Sequence, residues 1–173
     1  MKLLKKLTIS AVICSFTLLS VMPVPTTSVS AATKKTSKIT INKDFVTNAK
    51  KGVLKGTPFP IGTPLSTVIA KLGKAKNVDS IDGSYYYMYP SFTYYSGLDK
   101  KKITGVTIYD NSFNTINVNG VKKVFGKPSD EGIDEEVEDG GYILYYLYPK
   151  YKLLVTTDKT TKKVISFSLL YRY

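Results

Sequence analysis

Apolar positions recur at helical spacing in the first part of this chain and at strand spacing in the rest. Leu65, Val68, Ile69 and Leu72 fall at i, i+3, i+4 and i+7, which puts them on one face of a helix. Thr63 before Pro64 reads as an N-cap followed by proline at the first helical position, and Gly73 as the left-handed residue that ends the helix. The plan returns downstream, where Val118, Val121 and Phe125 share a face, Gly126 makes the stop, and Thr115, Asn117 and Asn119 are each competent caps. Upstream, Asn42 caps a short helix that presents Phe45, Val46 and Ala49 and stops at Lys51-Gly52. Gly56-Thr57-Pro58-Phe59-Pro60-Ile61-Gly62 holds two prolines and two glycines, so it predicts an ordered loop that lays Phe59 and Ile61 on the core.

From Ser84 the period changes. Tyr85, Tyr86, Tyr87, Met88 and Tyr89, then Phe92, Tyr94 and Tyr95, then Ile103, Val106, Ile108 and Tyr109 have the aromatic and β-branched density of strands, cut by Pro90 and Gly97. Residues 142–148, 151–157 and 163–171 repeat the pattern around a turn at 158–161. In the last of these Ile165, Phe167 and Leu169 alternate with Ser166 and Ser168, as expected when one face is buried and the other wet. Tyr-Pro ends a strand in both copies, at Tyr89-Pro90 and Tyr148-Pro149.

The chain therefore reads as a duplication. Leu72 to Phe125 spans 53 residues and Tyr89 to Tyr148 spans 59, so the second copy carries six extra residues between helix and strand. They fall in 130–139, which holds Asp130, Glu131, Asp134, Glu135, Glu136, Glu138 and Asp139, seven of the thirteen acidic residues. This segment reads as a solvated excursion; clustered carboxylates also suit calcium, but the spacing does not match the regular calcium loop.

Composition adds location. The first 32 residues run from a lysine cluster (Lys2, Lys5, Lys6) through an apolar stretch to Ser28-Val29-Ser30-Ala31-Ala32, the layout of a secretory signal peptide cut after Ala31 or Ala32. Ile13 before Cys14 is unlike a lipid-attachment site, so Cys14 reads as leader filler. Residues 33–173 contain no cysteine and no histidine, so they form no disulfide and their stability must come from an ordinary core. Residues 33–41 read as a flexible basic linker and 42–173 as one α+β domain of two repeats, about 42–112 and 113–173. The expected product is secreted or cell-wall associated, meeting a membrane only through its leader.

Ala49-Lys50-Lys51-Gly52, residues 56–63, Leu72-Gly73-Lys74 and Phe125-Gly126-Lys127-Pro128 together resemble the YjgB-like family of small secreted Gram-positive proteins, a family without an assigned activity. Two departures are Leu72, where a tryptophan is common, and Ala75, where the second copy keeps Pro128. The plan of helix then small antiparallel sheet, twice, is also similar to the tandem fold of β-lactamase inhibitory protein. That likeness implies a curved sheet with an aromatic face and helices packed on the other, and transfers no function.

The chemistry available is narrow. Without histidine or a cysteine beyond the leader, the usual general bases, thiol nucleophiles and most transition-metal sites have no residues to build them, and no cofactor is implied. Carboxylate pairs remain open through Asp79, Asp82, Asp99, Asp110 or the acidic segment, although 79–84 and Asp99-Lys100 read as turns. Binding is the better lead. All fourteen tyrosines lie from Tyr85 onward, and successive strand residues point to opposite faces, so Tyr85, Tyr86 and Tyr87 are not all core. Tyr85, Tyr87, Tyr94, Tyr146 and Tyr148 with Lys100, Lys101, Lys150 and Lys152 are the expected surface. An excess of lysine over acid (net charge +12) with a single arginine, Arg172, and no nucleic-acid motif points to a protein or an anionic wall polymer rather than nucleic acid. The expected function is a non-enzymatic binding module; the alternative is an inhibitor of an extracellular enzyme.

Overall fold

Among the described residues, three eight-residue helices lie against one face of an eight-stranded antiparallel sheet. This computed structural model describes residues 38–81, 83–134 and 141–173. The leader and its cleavage site, residues 33–37, Asp82 and 135–140 lie outside the described residues, and with them most of the acidic segment.

The helices form where the apolar spacing predicts. In α1 (Lys43–Lys50) the Asn42 side chain accepts from the Phe45 N–H at 3.0 Å, and Phe45 and Ala49 are buried. In α3 (Val118–Phe125) Asn117 is the cap, accepting from the Gly120 N–H at 2.9 Å. α2 (Leu65–Leu72) corrects the expected start. Pro64 is the N-cap with no side-chain cap, and the Thr63 hydroxyl donates back to the Pro60 carbonyl at 2.8 Å. Leu65 and Val68 are buried and Leu72 packs on the core, but Ile69 turns out to solvent, because a helix this short buries only a narrow stripe. Gly73 (φ 78°, ψ −172°) and Gly126 (φ 84°, ψ −162°) end α2 and α3 in a conformation that only glycine adopts freely, rather than in the left-handed helical one.

The strands are β1 (Asn77–Ile81), β2 (Ser84–Met88), β3 (Phe92–Gly97), β4 (Ile103–Tyr109), β5 (Asp130–Ile133), β6 (Tyr142–Leu147), β7 (Tyr151–Thr157) and β8 (Val164–Tyr171). Their order, β1-β2-β3-β4-β8-β7-β6-β5, is two four-stranded meanders joined where β4 lies beside β8. The two outer strands correct the reading of 79–84 as turn alone and, for 130–133, the reading of 130–139 as an excursion. β1 and β5 lack apolar alternation because they are exposed edges, and their Asp79, Asp130 and Glu131 suit strands that must not pair with another chain. A short 3-10 helix at Asn111–Thr115, unforeseen, buries Phe113.

Between helices and sheet lies an aromatic cluster. Phe167 of β8 meets Phe113 at 4.9 Å, Phe45 at 5.1 Å and Phe125 at 6.1 Å between ring centroids. Each fully buried phenylalanine contributes about 1.5–3 kcal/mol of transfer energy, so this cluster ties α1, α3 and the central strands into one core. The Gly56 loop behaves as expected, with Phe59 and Ile61 packed on that core. The folded part starts earlier than expected. Ile39 is buried, and its side chain passes so close to Gly56 (φ 100°) that a Cβ there would meet it at 2.5 Å.

A bulge between Thr156 and Thr157 pairs Thr157 with Val164, which turns Val164 inward and leaves Ile165 half exposed, against the expected alternation. The two meanders also differ in register. Gly73 accepts a hydrogen bond from the Tyr89 hydroxyl at 3.1 Å, whereas Gly126 accepts one from Tyr146 at 3.2 Å, not from Tyr148. The hairpins match Tyr89 with Tyr148, through Tyr89 N–H to Phe92 C=O and Tyr148 N–H to Tyr151 C=O. β6 therefore runs two residues out of step against β5, a slip that keeps every side chain on its face. Its consequence is that the Tyr148 hydroxyl is buried without a hydrogen-bond partner among the described residues.

Candidate functional site

Parity within the strands decides which tyrosines can meet a ligand. Tyr87, Tyr94, Tyr146 and Tyr148, all expected at the surface, are buried in the core beneath the helices. Tyr85 is half-buried on the same side, covered by the Lys100 ammonium 3.6 Å from its ring centroid. Tyr142 and Lys162 repeat that arrangement at 4.0 Å, and both lysines sit at positive φ (51° and 57°) in the β3–β4 and β7–β8 turns. These cation–π pairs seal the turns next to the helix starts: Leu65 N–H donates to Lys101 C=O and Val118 N–H to Lys162 C=O.

The face without helices carries the opposite parity: Tyr86 and Met88 of β2, Thr93 and Tyr95 of β3, Thr107 and Tyr109 of β4, Ser166, Ser168 and Leu170 of β8, Lys152, Leu154 and Thr156 of β7, and Ile143, Tyr145 and Leu147 of β6. The aromatic surface is therefore Tyr86, Tyr95, Tyr109 and Tyr145; Tyr86, Tyr95 and Tyr145 are each one residue away from an expected position, and Tyr109 was not among those expected. The signal was present in Ser166 and Ser168, which mark the wet face of β8, but carrying it to β2, β3 and β6 needs the pairing registers. Large side chains remain open here, with Met88 40%, Tyr109 47% and Leu147 49% exposed.

Small hydroxyl residues form the floor. Thr93, Thr107 and Ser166 are almost fully buried between the larger side chains. Thr107 Oγ1 donates to Tyr95 Oη at 3.3 Å and lies 2.8 Å from Ser168 Oγ. Around this group a groove of about 440 Å³ runs toward one end of the sheet, lined by Ile81, Tyr95, Thr107, Leu154, Ser168 and Leu170 among others, and by Lys152, Tyr171 and Tyr173. Gly105, Leu170 and Lys152 pair in one row, so the β3–β4 turn with Lys100 and Lys101 and the β6–β7 turn with Lys150 lie at this same end. Lys101 and Lys150 are exposed. Of the nine expected site residues the structure places the four lysines at one end of the sheet, Lys100 over Tyr85, and the five tyrosines on the helix side.

The described carboxylates have local work. Asp99 accepts from Lys101 N–H, Asp110 from Ser112 N–H, and Asp158 holds the Thr160 and Thr161 amides. Glu131 takes the Lys122 ammonium at 2.7 Å, and that hydrogen bond holds its carboxyl below the usual range. Partial desolvation and the Asp79 carboxylate push the Tyr86 phenol up, and burial pushes Tyr109 up. Burial raises Tyr146 and Tyr148 to about 12.

A family model described as a domain of unknown function, DUF4309, matches residues 42–171. Among solved structures the chain is similar to a DUF4309 family protein (YjgB) from Bacillus subtilis, at 14% identity over 76% of this chain and 98% of that one, with a TM-score of 0.60. It also aligns with an extracellular protein containing a SCP domain from Bacillus anthracis (11% identity, 64% of this chain and 43% of that one, TM-score 0.49). A cysteine-rich secretory protein from Staphylococcus aureus aligns at 17% identity over 64% of this chain and 42% of that one, TM-score 0.42. The chain spans less than half the length of these last two. No curated protein matches.

Proposed function

The chain belongs to the DUF4309 family, whose function is unknown, and from its open sheet face we propose that it is a non-enzymatic module that binds a protein or an anionic cell-envelope polymer outside the cell. One observation carries this reading. The face left without helices holds half-exposed Tyr109, Met88 and Leu147 and a groove that Lys152 helps to line, with Lys100, Lys101 and Lys150 at the groove's end of the sheet. Rigid aromatic and apolar side chains beside an end of the sheet where lysines outnumber the one described carboxylate of the β3–β4 and β6–β7 turns, Asp99, suit attachment to a large acidic partner. Secretion, with the leader cut after Ala31 or Ala32 and the product retained at the wall, is part of the proposal and rests on the leader residues.

We take the two meanders as a duplicated helix-and-sheet unit in the manner of β-lactamase inhibitory protein. The matched Lys100–Tyr85 and Lys162–Tyr142 pairs and the matched glycine stops Gly73 and Gly126 support this. The second reading, an inhibitor of an extracellular enzyme, is favoured by the exposed apolar side chains of the same face.

The test is retention of the purified chain on its own cell-wall fraction and on the secreted proteins at low and high salt. Polymer attachment fades as salt screens the lysines, while an inhibitor gives a stoichiometric complex that resists salt. No retention on either sinks both readings.

A further inference from the structure

Resting on that binding role, we propose that the groove of the open face takes a short stretch of a hydroxyl-bearing, anionic glycan. The floor argues for hydroxyls. Thr107, Tyr95 and Ser168 form a connected row at 3.3 and 2.8 Å. Because Thr107, itself almost fully buried, donates to Tyr95, the Ser168 proton serves Thr107, and what the row offers a ligand is the Tyr95 proton and the remaining lone pairs of Tyr95 and Ser168. An acceptor-only polyanion satisfies the one proton and leaves those lone pairs unmatched. A sugar hydroxyl both donates and accepts, so it matches the row.

The walls argue for a carbohydrate ring. Leu154 and Leu170 offer aliphatic surface, and Tyr95 an aromatic plane with a polar tip, suited to a ligand that is apolar on its C–H faces and polar at its edges. The charge argues for an anion. Lys152 is the one charged side chain lining the groove among the described residues, no acidic side chain of those residues lines it, and the turns at the same end hold Lys101 and Lys150, with Lys100 turned over Tyr85, against the single carboxylate of Asp99. The volume of about 440 Å³ lies within the range of roughly 300–1,000 Å³ typical of small-ligand sites.

The experiment titrates the purified chain with a linear tetramer of galacturonic acid, the neutral galactose tetramer and linear polyphosphate, read by tyrosine fluorescence and amide chemical shifts. The uronate tetramer is expected to bind best, with shifts at Tyr95, Thr107, Lys152 and Ser168. Lys152→Ala is expected to weaken it by about fivefold, an effect of about 1 kcal/mol. The pair Thr107→Val with Ser168→Ala, which keeps the shape of the floor, is expected to remove the preference over polyphosphate. Thermal melts confirm that each variant is folded, and Ser168→Ala alone replaces the pair if the double variant is not. Equal binding of polyphosphate, binding of the neutral tetramer as tight as the uronate, or no change in any variant overturns the proposal. Retention on the wall fraction without uronate binding overturns it while the proposed function stands; loss of both removes both.

Discussion

The hydroxyl of Tyr94, a fully buried side chain, serves both backbone groups of Phe59: it accepts from the Phe59 N–H at 3.0 Å and donates to the Phe59 carbonyl at 3.3 Å. A proline-rich loop has no ladder to satisfy its amides, and this tyrosine takes the place of one. Tyr94→Phe keeps the ring and removes both bonds, leaving the Phe59 groups unpaired against the core. The expected cost is about 1–3 kcal/mol, seen as a lower urea midpoint at unchanged slope, with faster amide exchange at Phe59. An unchanged midpoint would show that water substitutes for the hydroxyl.

Gly73→Ala and Gly126→Ala test backbone strain without a clash, since nothing lies within 4 Å of a Cβ at either position. Both residues have φ near +80° with extended ψ. Each substitution is expected to cost about 1–3 kcal/mol. Gly132→Ala, on the β5 edge with equal space and no positive φ, is the control and is expected to stay within about 0.5 kcal/mol. Equal effects at all three positions would remove the conformational explanation.

Alkaline pH is expected to unfold this protein. Burial raises the Tyr146 and Tyr148 phenols from their ordinary value of 10.0 to about 12 in the folded state. Their contribution is fully present below pH 10, where both states are protonated, and is lost as pH rises toward 12, where the unfolded chain releases the proton more readily. Melting temperature followed from pH 8 to 12 checks this. Tyr148→Phe, which also removes a buried hydroxyl without a partner, is expected to flatten the decline and to leave or raise stability at neutral pH.

Acid has a smaller effect. The Lys122 hydrogen bond lowers the Glu131 carboxyl, so the pair contributes above the unfolded carboxylate range and is lost as pH falls through the folded value. Both partners are about one-third exposed, so Glu131→Gln is expected to cost less than about 1 kcal/mol. A larger loss in denaturant melts would mean that the pair fixes the β5 edge.

The two faces of the sheet separate stability from binding. Tyr109→Ala and Leu147→Ala on the open face are expected to change stability by about 0.5 kcal/mol or less and to lower retention on the wall fraction. Tyr146→Ala, on the helix face, is expected to cost about 3–5 kcal/mol by analogy with Phe→Ala in cores. If the open-face variants bind the wall unchanged, the binding face lies elsewhere.

The sequence by itself determined the elements with strong periodicity or distinctive chemistry. Asn42 was legible as a cap, Asn117 as one of three candidates, and Gly73 and Gly126 as stops, because each is fixed by contacts within a few residues; Phe59 and Ile61 were legible as core residues only from their apolar character in a proline-rich loop. The edge strands β1 and β5 were not, since exposed strands owe their existence to one neighbour rather than to their own apolar pattern. Nor was the side of the sheet on which each tyrosine stands. Along Tyr85, Tyr86 and Tyr87 local propensity is the same at every position, and only the pairing of β2 with β3, and of β4 with β8, puts Tyr87 and Tyr94 beneath the helices and leaves Tyr86 and Tyr95 facing out. A strand has period two, so its choice of face is set by partners distant in sequence, and the tertiary structure alone decided it.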